Sequence, residues 1–274
     1  MNILFSIRLV AWVFIAAAVP ATAWCASFDE DFAVVFIDAK TEAKFGAIPL
    51  DRGTLADGIN AIANAGAKAI VVKFFLDQPK DEKTDMRLAR ALSRVPTVLQ
   101  ARLADRENSS NPLDARFSIS GQFNVAATGA RGWIPLPLFA KQAADVGFVD
   151  FNSALVPTVE QYQSRIVKSL VLCAIEMAAG RKAILSAERQ IQIGSHIIKV
   201  DDKNQASAIS IHPQSIRSVS FMSALDGSAR AEMKNKVVIL AYDGPHIDTL
   251  TVGTESIGTH RYFVSILKSI YDAK

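Results

Sequence analysis

The sequence has little excess charge of either sign, few aromatic residues and almost no cysteine. Its formal net charge is +3, and residues 1–23 contribute Arg8 and no acid, so the rest of the chain is closer still to neutral. Aromatic residues make up 8% of the total and do not interleave with a basic stripe. These two shortages exclude a polybasic membrane-binding surface and a nucleic-acid interface. Beyond residue 23 no apolar run approaches the ~20 residues that a membrane-spanning helix needs. Internal repeats, low-complexity tracts and long linkers are also missing. The chain after its N-terminus therefore reads as one domain, and with 50% hydrophobic residues it can bury a sizeable core.

What is present at the N-terminus is a secretory signal. Arg8 supplies the positive region, Leu9 to Ala18 the apolar region, and Ala21-Thr22-Ala23 the small-residue cleavage site. The apolar run is too short for a span and is followed by Pro20. The expected organisation is a signal peptide over 1–23, an N-terminal tail over 24–32 and a single domain over 33–272. Lipidation at Cys25 is excluded by the large Trp24 before it. Cys25 and Cys173 could pair in an oxidising compartment. The other reading makes Cys173 a small buried residue on a helix and leaves Cys25 in the tail.

The chain is organised around a strand, helix and strand. Ala33 to Ile37 is a continuous apolar run of the kind buried on both faces of a parallel sheet, and Asp38 ends it. A helix is predicted over Thr54 to Ala65, with Thr54 and Asp57 at capping-box spacing and Gly66 beyond its end. Ala69 to Phe75 is the second strand. Such a unit makes a right-handed parallel crossover, and ligands of open parallel sheets sit beyond the carboxyl ends of the strands. Those ends carry Asp38 and Lys73, with Asp77 in the charged loop that follows. If the two strands are neighbours, Asp38 and Lys73 form an ion pair.

Further along, helices are predicted over Thr84–Arg94, Leu138–Asp145, Arg165–Ala179, Ser215–Leu225 and Thr259–Tyr271. Strands are predicted over Thr97–Leu103, Gly147–Phe151 and Lys236–Ala241, with an edge strand or hairpin in Phe117–Val125. Ile191–Ile193 and Ile197–Val200 read as a hairpin about Gly194-Ser195. The fold class is α/β: a mainly parallel sheet flanked by helices, with an added antiparallel hairpin and edge strand.

Two motifs invite catalysis and fail in detail. Gly253 to Thr259 has the glycine spacing of a phosphate loop, but Thr259 stands where its lysine belongs. Thr254 to Gly258 resembles a nucleophile elbow around Ser256, with His260, His246, Asp243 and Asp248 as possible partners. The preceding stretch, Thr249 to Gly253, is short and polar, which is wrong for an elbow's buried strand. Asp243, His246, Asp248 and His260 have metal-ligand chemistry without a metal-site spacing, and read as a polar loop and a helix start. No metal and no cofactor is expected.

Several segments together resemble the second type of cyclase/histidine-kinase-associated sensory extracellular domain (CHASE2). They are Val35-Phe36-Ile37-Asp38, Pro49 with Asp51-Arg52, Ala65-Gly66-Ala67, Phe75 with Pro79, and Asp85 with Leu88-Ala89. Leu136-Pro137, Val146-Gly147-Phe148-Val149, Met222 with Leu225, Lys236 to Ile239, Asp248-Thr249 and Gly258-Thr259-His260 follow in the same order. The resemblance implies an extracytoplasmic input domain of a bacterial receptor, sensing a signal and not performing catalysis. Lys73 stands where the family tends to have an acid, and Ala154 to Val159 replace its Asp-Gly segment. The chain runs to Lys274 without a following membrane helix or output domain. The expectation is a freestanding periplasmic or secreted sensory domain that binds a small molecule or a partner protein and signals through a separate membrane receptor protein. Candidate ligand-binding residues are Asp38, Lys73, Asp77, Asp243, His246, Asp248 and His260. A secreted serine hydrolase using Ser256 with His260 or His246 is the alternative, and a structural envelope protein the third.

Overall fold

The structure, a computed structural model, describes residues 27–103, 111–119, 125, 127–129, 131–150, 153–186 and 189–273. The signal peptide and Cys25 lie outside the described residues. Six strands form the main sheet: β1 (Phe32–Asp38), β2 (Ala69–Val72), β3 (Thr97–Ala101), β4 (Asp145–Phe148), β5 (Val219–Ser220) and β6 (Val237–Asp243). Their order is β5-β1-β6-β2-β3-β4 and every pairing is parallel. Strands so placed are buried on both faces, which is why their sequences are nearly unbroken apolar runs. Ile70, Val72, Leu99 and Leu240 point into one core, and Ala69, Val71, Val98 and Ile239 into the other. The first core is roofed by α3 (Arg52–Asn64), α4 (Glu82–Leu92) and α7 (Phe221–Leu225). The second is roofed by α6 (Leu170–Ala179) and α9 (Thr259–Asp272). Small antiparallel sheets lie outside the main one, including the predicted hairpin, Gln190–Ile193 with His196–Lys199. It gains a third strand, Ile184–Ser186.

Several expectations are corrected. Residues 27–32 are no loose tail. Phe28 to Asp31 form a helical turn, α1, and Phe28 is buried, stacked on Phe32 at 4.7 Å. Asp38 does not merely end a strand: it caps an unpredicted helix, α2 (Ala39–Phe45), by accepting from Thr41 N–H. The cap of α3 is Asp51, not Thr54, whose own N–H donates to it at 3.0 Å. The predicted Leu138–Asp145 helix is a single turn, α5 (Pro137–Ala140), because Asp145 already opens β4.

Arg165–Ala179 is two elements. Arg165–Lys168 is a strand paired antiparallel with Val159–Tyr162, and α6 starts only after Ser169, which accepts from Leu172 N–H. The β-branched Ile166 and Val167 favour the strand, and Ser169 sets the helix start. Ser215–Leu225 divides in the same way into a 3₁₀ turn (Pro213–Ser215), β5 and α7, with Ser220 as the α7 cap. In Phe117–Val125, Phe117 closes a 3₁₀ turn and residues 120–124 lie outside the described residues.

The correction that matters most for function is strand order. β6 lies between β1 and β2, so Asp38 and Lys73 are not neighbours. Asp38 is in register with Asp243 instead. A crossover fixes direction and hand but leaves room for a later strand to be inserted.

At the opposite end of the sheet, Asp145, Glu176, Lys168 and Lys182 form an ion cluster. Burial works against the Lys168 charge, but the surrounding anionic groups, Asp145 and Glu176 among them, outweigh it and raise its pKa. Cys173 lies buried beside them as a free thiol, and burial pushes its pKa well up.

Candidate functional site

The carboxyl ends of β2, β3 and β4 open into a cleft of about 520 Å³ beneath the start of α9. Lys73 follows β2 directly, and its N–H continues the sheet by donating to Leu240 O at 2.9 Å. Strand alternation sends its side chain to the same face as Val71, under α9. There it is only 7% exposed. Its ammonium donates to Gln100 Oε1 at 2.6 Å and lies 5.0 Å from the centre of the Phe263 ring. Among the described residues no carboxylate pairs with it. Burial alone lowers its pKa from 10.5 to about 7.

His260 enters the same cleft from the first turn of α9. Its Nδ1 accepts from Tyr242 N–H at 3.0 Å, and its ring meets Phe74 edge-on at 5.8 Å. With Nδ1 accepting, the ring proton belongs to Nε2. Burial, and then the Lys73 charge, push its pKa well below the ordinary value, so the imidazole is neutral at neutral pH. At the opposite wall Arg102 stacks on Trp133 at 5.2 Å and pairs with Asp150 at 3.5 Å. Residues 102 and 133 are bridged through both backbone N–H groups. Phe75 packs edge-on against Trp133 at 4.8 Å.

Of the seven candidates, the cleft brings together Lys73, His260 and Asp248, the last exposed on the rim with its carbonyl accepting from Thr259 N–H. The other four lie elsewhere and have their own partners. Asp38 caps α2; burial opposes its charge, and hydrogen bonds from Thr41 and Ser220 hold its pKa below the usual range. Asp243 binds the Arg261 guanidinium. His246 sits 3.3 Å from Glu42, which also accepts from Tyr242 Oη at 3.0 Å. Asp77 lies beyond the other face of the sheet near Arg52, and its carbonyl accepts from Asn111.

The sequence reading missed Gln100, Arg102, Trp133 and Phe263. Gln100 had a usable signal, as the one amide in a strand whose other residues are Thr, Val, Leu and Ala, Thr97–Ala101.

The hydrolase alternative finds no support. Ser256 is an exposed residue within a hairpin strand, opposite Thr251, and no strand-to-helix elbow surrounds it. His260 Nδ1 is engaged by Tyr242 and His246 is engaged by Glu42.

Two other grooves are electrostatically quiet. One of about 400 Å³ beside the end of α9 contains Lys268, which is paired with Asp29 and Asp272. One of about 250 Å³ between Ile37, Pro49 and Phe74 contains Arg52, paired with Asp85.

The CHASE2 domain family profile matches residues 7–253. No curated protein and no solved structure matches the chain. The match covers most of the cleft, including Lys73, Gln100, Arg102 and Asp248, and stops short of Gly258-Thr259-His260. With the larger part of its length matched, the chain belongs to the CHASE2 domain family, whose members are extracytoplasmic sensory domains.

Proposed function

We propose that the protein is a sensory domain that binds a small molecule in the cleft under α9 and passes its occupancy to a separate membrane receptor. We place it in the periplasm or outside the cell. One observation carries the reading: Lys73 is buried, faces an open cleft and has no carboxylate partner among the described residues. Burying an amine without an opposite charge is unfavourable, and a fold keeps such a group where it has a use. The position agrees with the general rule that open parallel sheets bind ligands beyond their strand ends. A ligand there touches both the sheet and α9, so its binding energy bears on how the helix is held against the strands.

The test is a thermal-shift screen of small metabolites and ions on the purified protein, repeated on Lys73→Met. A genuine ligand raises the melting temperature of the wild type and loses that effect in the variant. Hits that act equally on both proteins would place the ligand site elsewhere. Intact-mass analysis of the exported protein tests the address, because a chain that keeps residues 1–23 and needs detergent for extraction contradicts it.

A further inference from the structure

Among the described residues, the cleft is rich in hydrogen-bond donors and poor in free acceptors. Lys73 has three N–H donors and gives one to Gln100. His260 offers Nε2–H, since its other nitrogen is occupied. Gly258 provides no side-chain cap for α9, and the first turn of that 14-residue helix has no acidic residue. Its N-terminal end therefore adds partial positive charge to the same wall. The acceptors are committed or peripheral: Gln100 Oε1 takes Lys73, Asp150 takes Arg102 and Leu103 N–H, and Asp248 stands on the exposed rim. Phe75, Trp133 and Phe263 supply flat apolar walls.

Resting on the reading of this cleft as the ligand site, we infer that its ligand is a small carboxylate with a flat apolar body. The carboxylate sits against Lys73 Nζ, His260 Nε2–H and the first turn of α9, and the body lies between the aromatic walls. The anion supplies the counter-charge that no described residue gives Lys73.

A proton linkage follows. Among the described residues, the titratable, charged and amide groups that line the cleft with Lys73 are His260 and Tyr262 from α9, Gln100 from β3, the Arg102–Asp150 pair and Asp248 on the rim. His260, its pKa pushed well down by burial and by the Lys73 charge, stays neutral, so Lys73 is the group that gains a proton when an anion binds. With burial holding the Lys73 pKa at about 7, carboxylate affinity falls about tenfold between pH 6 and pH 8.

The experiment is calorimetric titration of the whole protein with benzoate and phenylacetate, each compared with its primary amide, at pH 6 and pH 8. The carboxylates are expected to bind at least tenfold more tightly than the amides at pH 6. At pH 8 they should weaken about tenfold and take up close to one proton, as buffers of different ionisation heat report. Lys73→Met is expected to bind acid and amide alike. Equal binding of acids and amides by the wild type would overturn the anion inference and leave the cleft reading intact. If no member of either series bound at millimolar concentration, and the metabolite screen also gave no Lys73-dependent ligand, both would fall. A preference for carboxylate over amide that survives Lys73→Met would remove Lys73 from the site.

Discussion

Replacing Lys73 with Met should change how stability depends on pH. In the folded protein the Lys73 pKa is lowered by burial from 10.5 to about 7. The unfolded chain therefore holds a proton that the folded chain has lost throughout the window between these values. Stability from this site rises with pH across that window, by up to about 1.4 kcal/mol per unit. Below pH 7 both states carry the proton and the full cost of burying the charge remains. Methionine abolishes this slope. It also leaves Gln100 Oε1 without its donor, which costs about 1–3 kcal/mol, but that loss is the same at every pH. The informative quantity is thus the change in the stability difference between variant and wild type. Between pH 7 and pH 9 it should move by about 2 kcal/mol in favour of the wild type, equivalent to roughly 4–8 °C in Tm for a domain of this size. Urea unfolding at fixed pH values, with m-values compared at each, gives the measurement. Parallel stability curves for the two proteins would refute the claim that Lys73 is a buried amine with no carboxylate partner among the described residues.

Five other outcomes are expected. Lys168→Met leaves Asp145 and Glu176 without their buried partner and should destabilise by about 3–5 kcal/mol. Lys182→Ala removes a partner that is 68% exposed and should lose less than about 1 kcal/mol in the same chemical melt. Cys173 should resist a thiol reagent in the native protein and react after unfolding, because it is buried with a raised pKa. A double-mutant cycle of Asp38→Ala and Lys73→Ala should be additive within about 0.5 kcal/mol, since β6 separates the two strands. Gly147→Ala should fail to accumulate as folded protein by circular dichroism, because a Cβ there would lie 2.5 Å from the Leu170 backbone where α6 crosses β4.

Much of the architecture could be read from the order of residues. The runs at Ala33–Ile37, Ala69–Val72 and Val237–Ala241 are apolar throughout, because each strand is covered on both faces. The α9 helix was legible from Phe263, Ile266, Leu267 and Ile270, which recur at helical spacing and are all buried. Two helices were drawn too long because apolar periodicity ran through Ser169 and Ser220. Those serines are themselves the helix-start signals, as N-caps shortly after the β-branched Val167 and Val219. Lys73 could be placed at a strand end but not given its surroundings. The order of strands depends on a segment nearly at the other end of the chain, and neither handedness nor periodicity encodes it. Likewise Arg102 and Trp133 meet through a backbone bridge between two loop-bordering segments, which no local pattern announces.

The central position of β6 also shapes how the molecule is made. β1, β2, β3 and β4 are all synthesised before residue 237, yet β1 and β2 have no shared edge until β6 arrives. A growing chain therefore carries two open strand edges through most of its synthesis. Both are apolar, the kind that pair with other chains. Contacts this distant in sequence form slowly and late. Collapse of the two half-sheets before β6 emerges is consequently the step most exposed to aggregation, and a holding factor that shields β1 and β2 would raise the yield of folded protein. Fragments cut between Met233 and Val237 should complement one another, because the second fragment supplies the strand that both halves of the first lack.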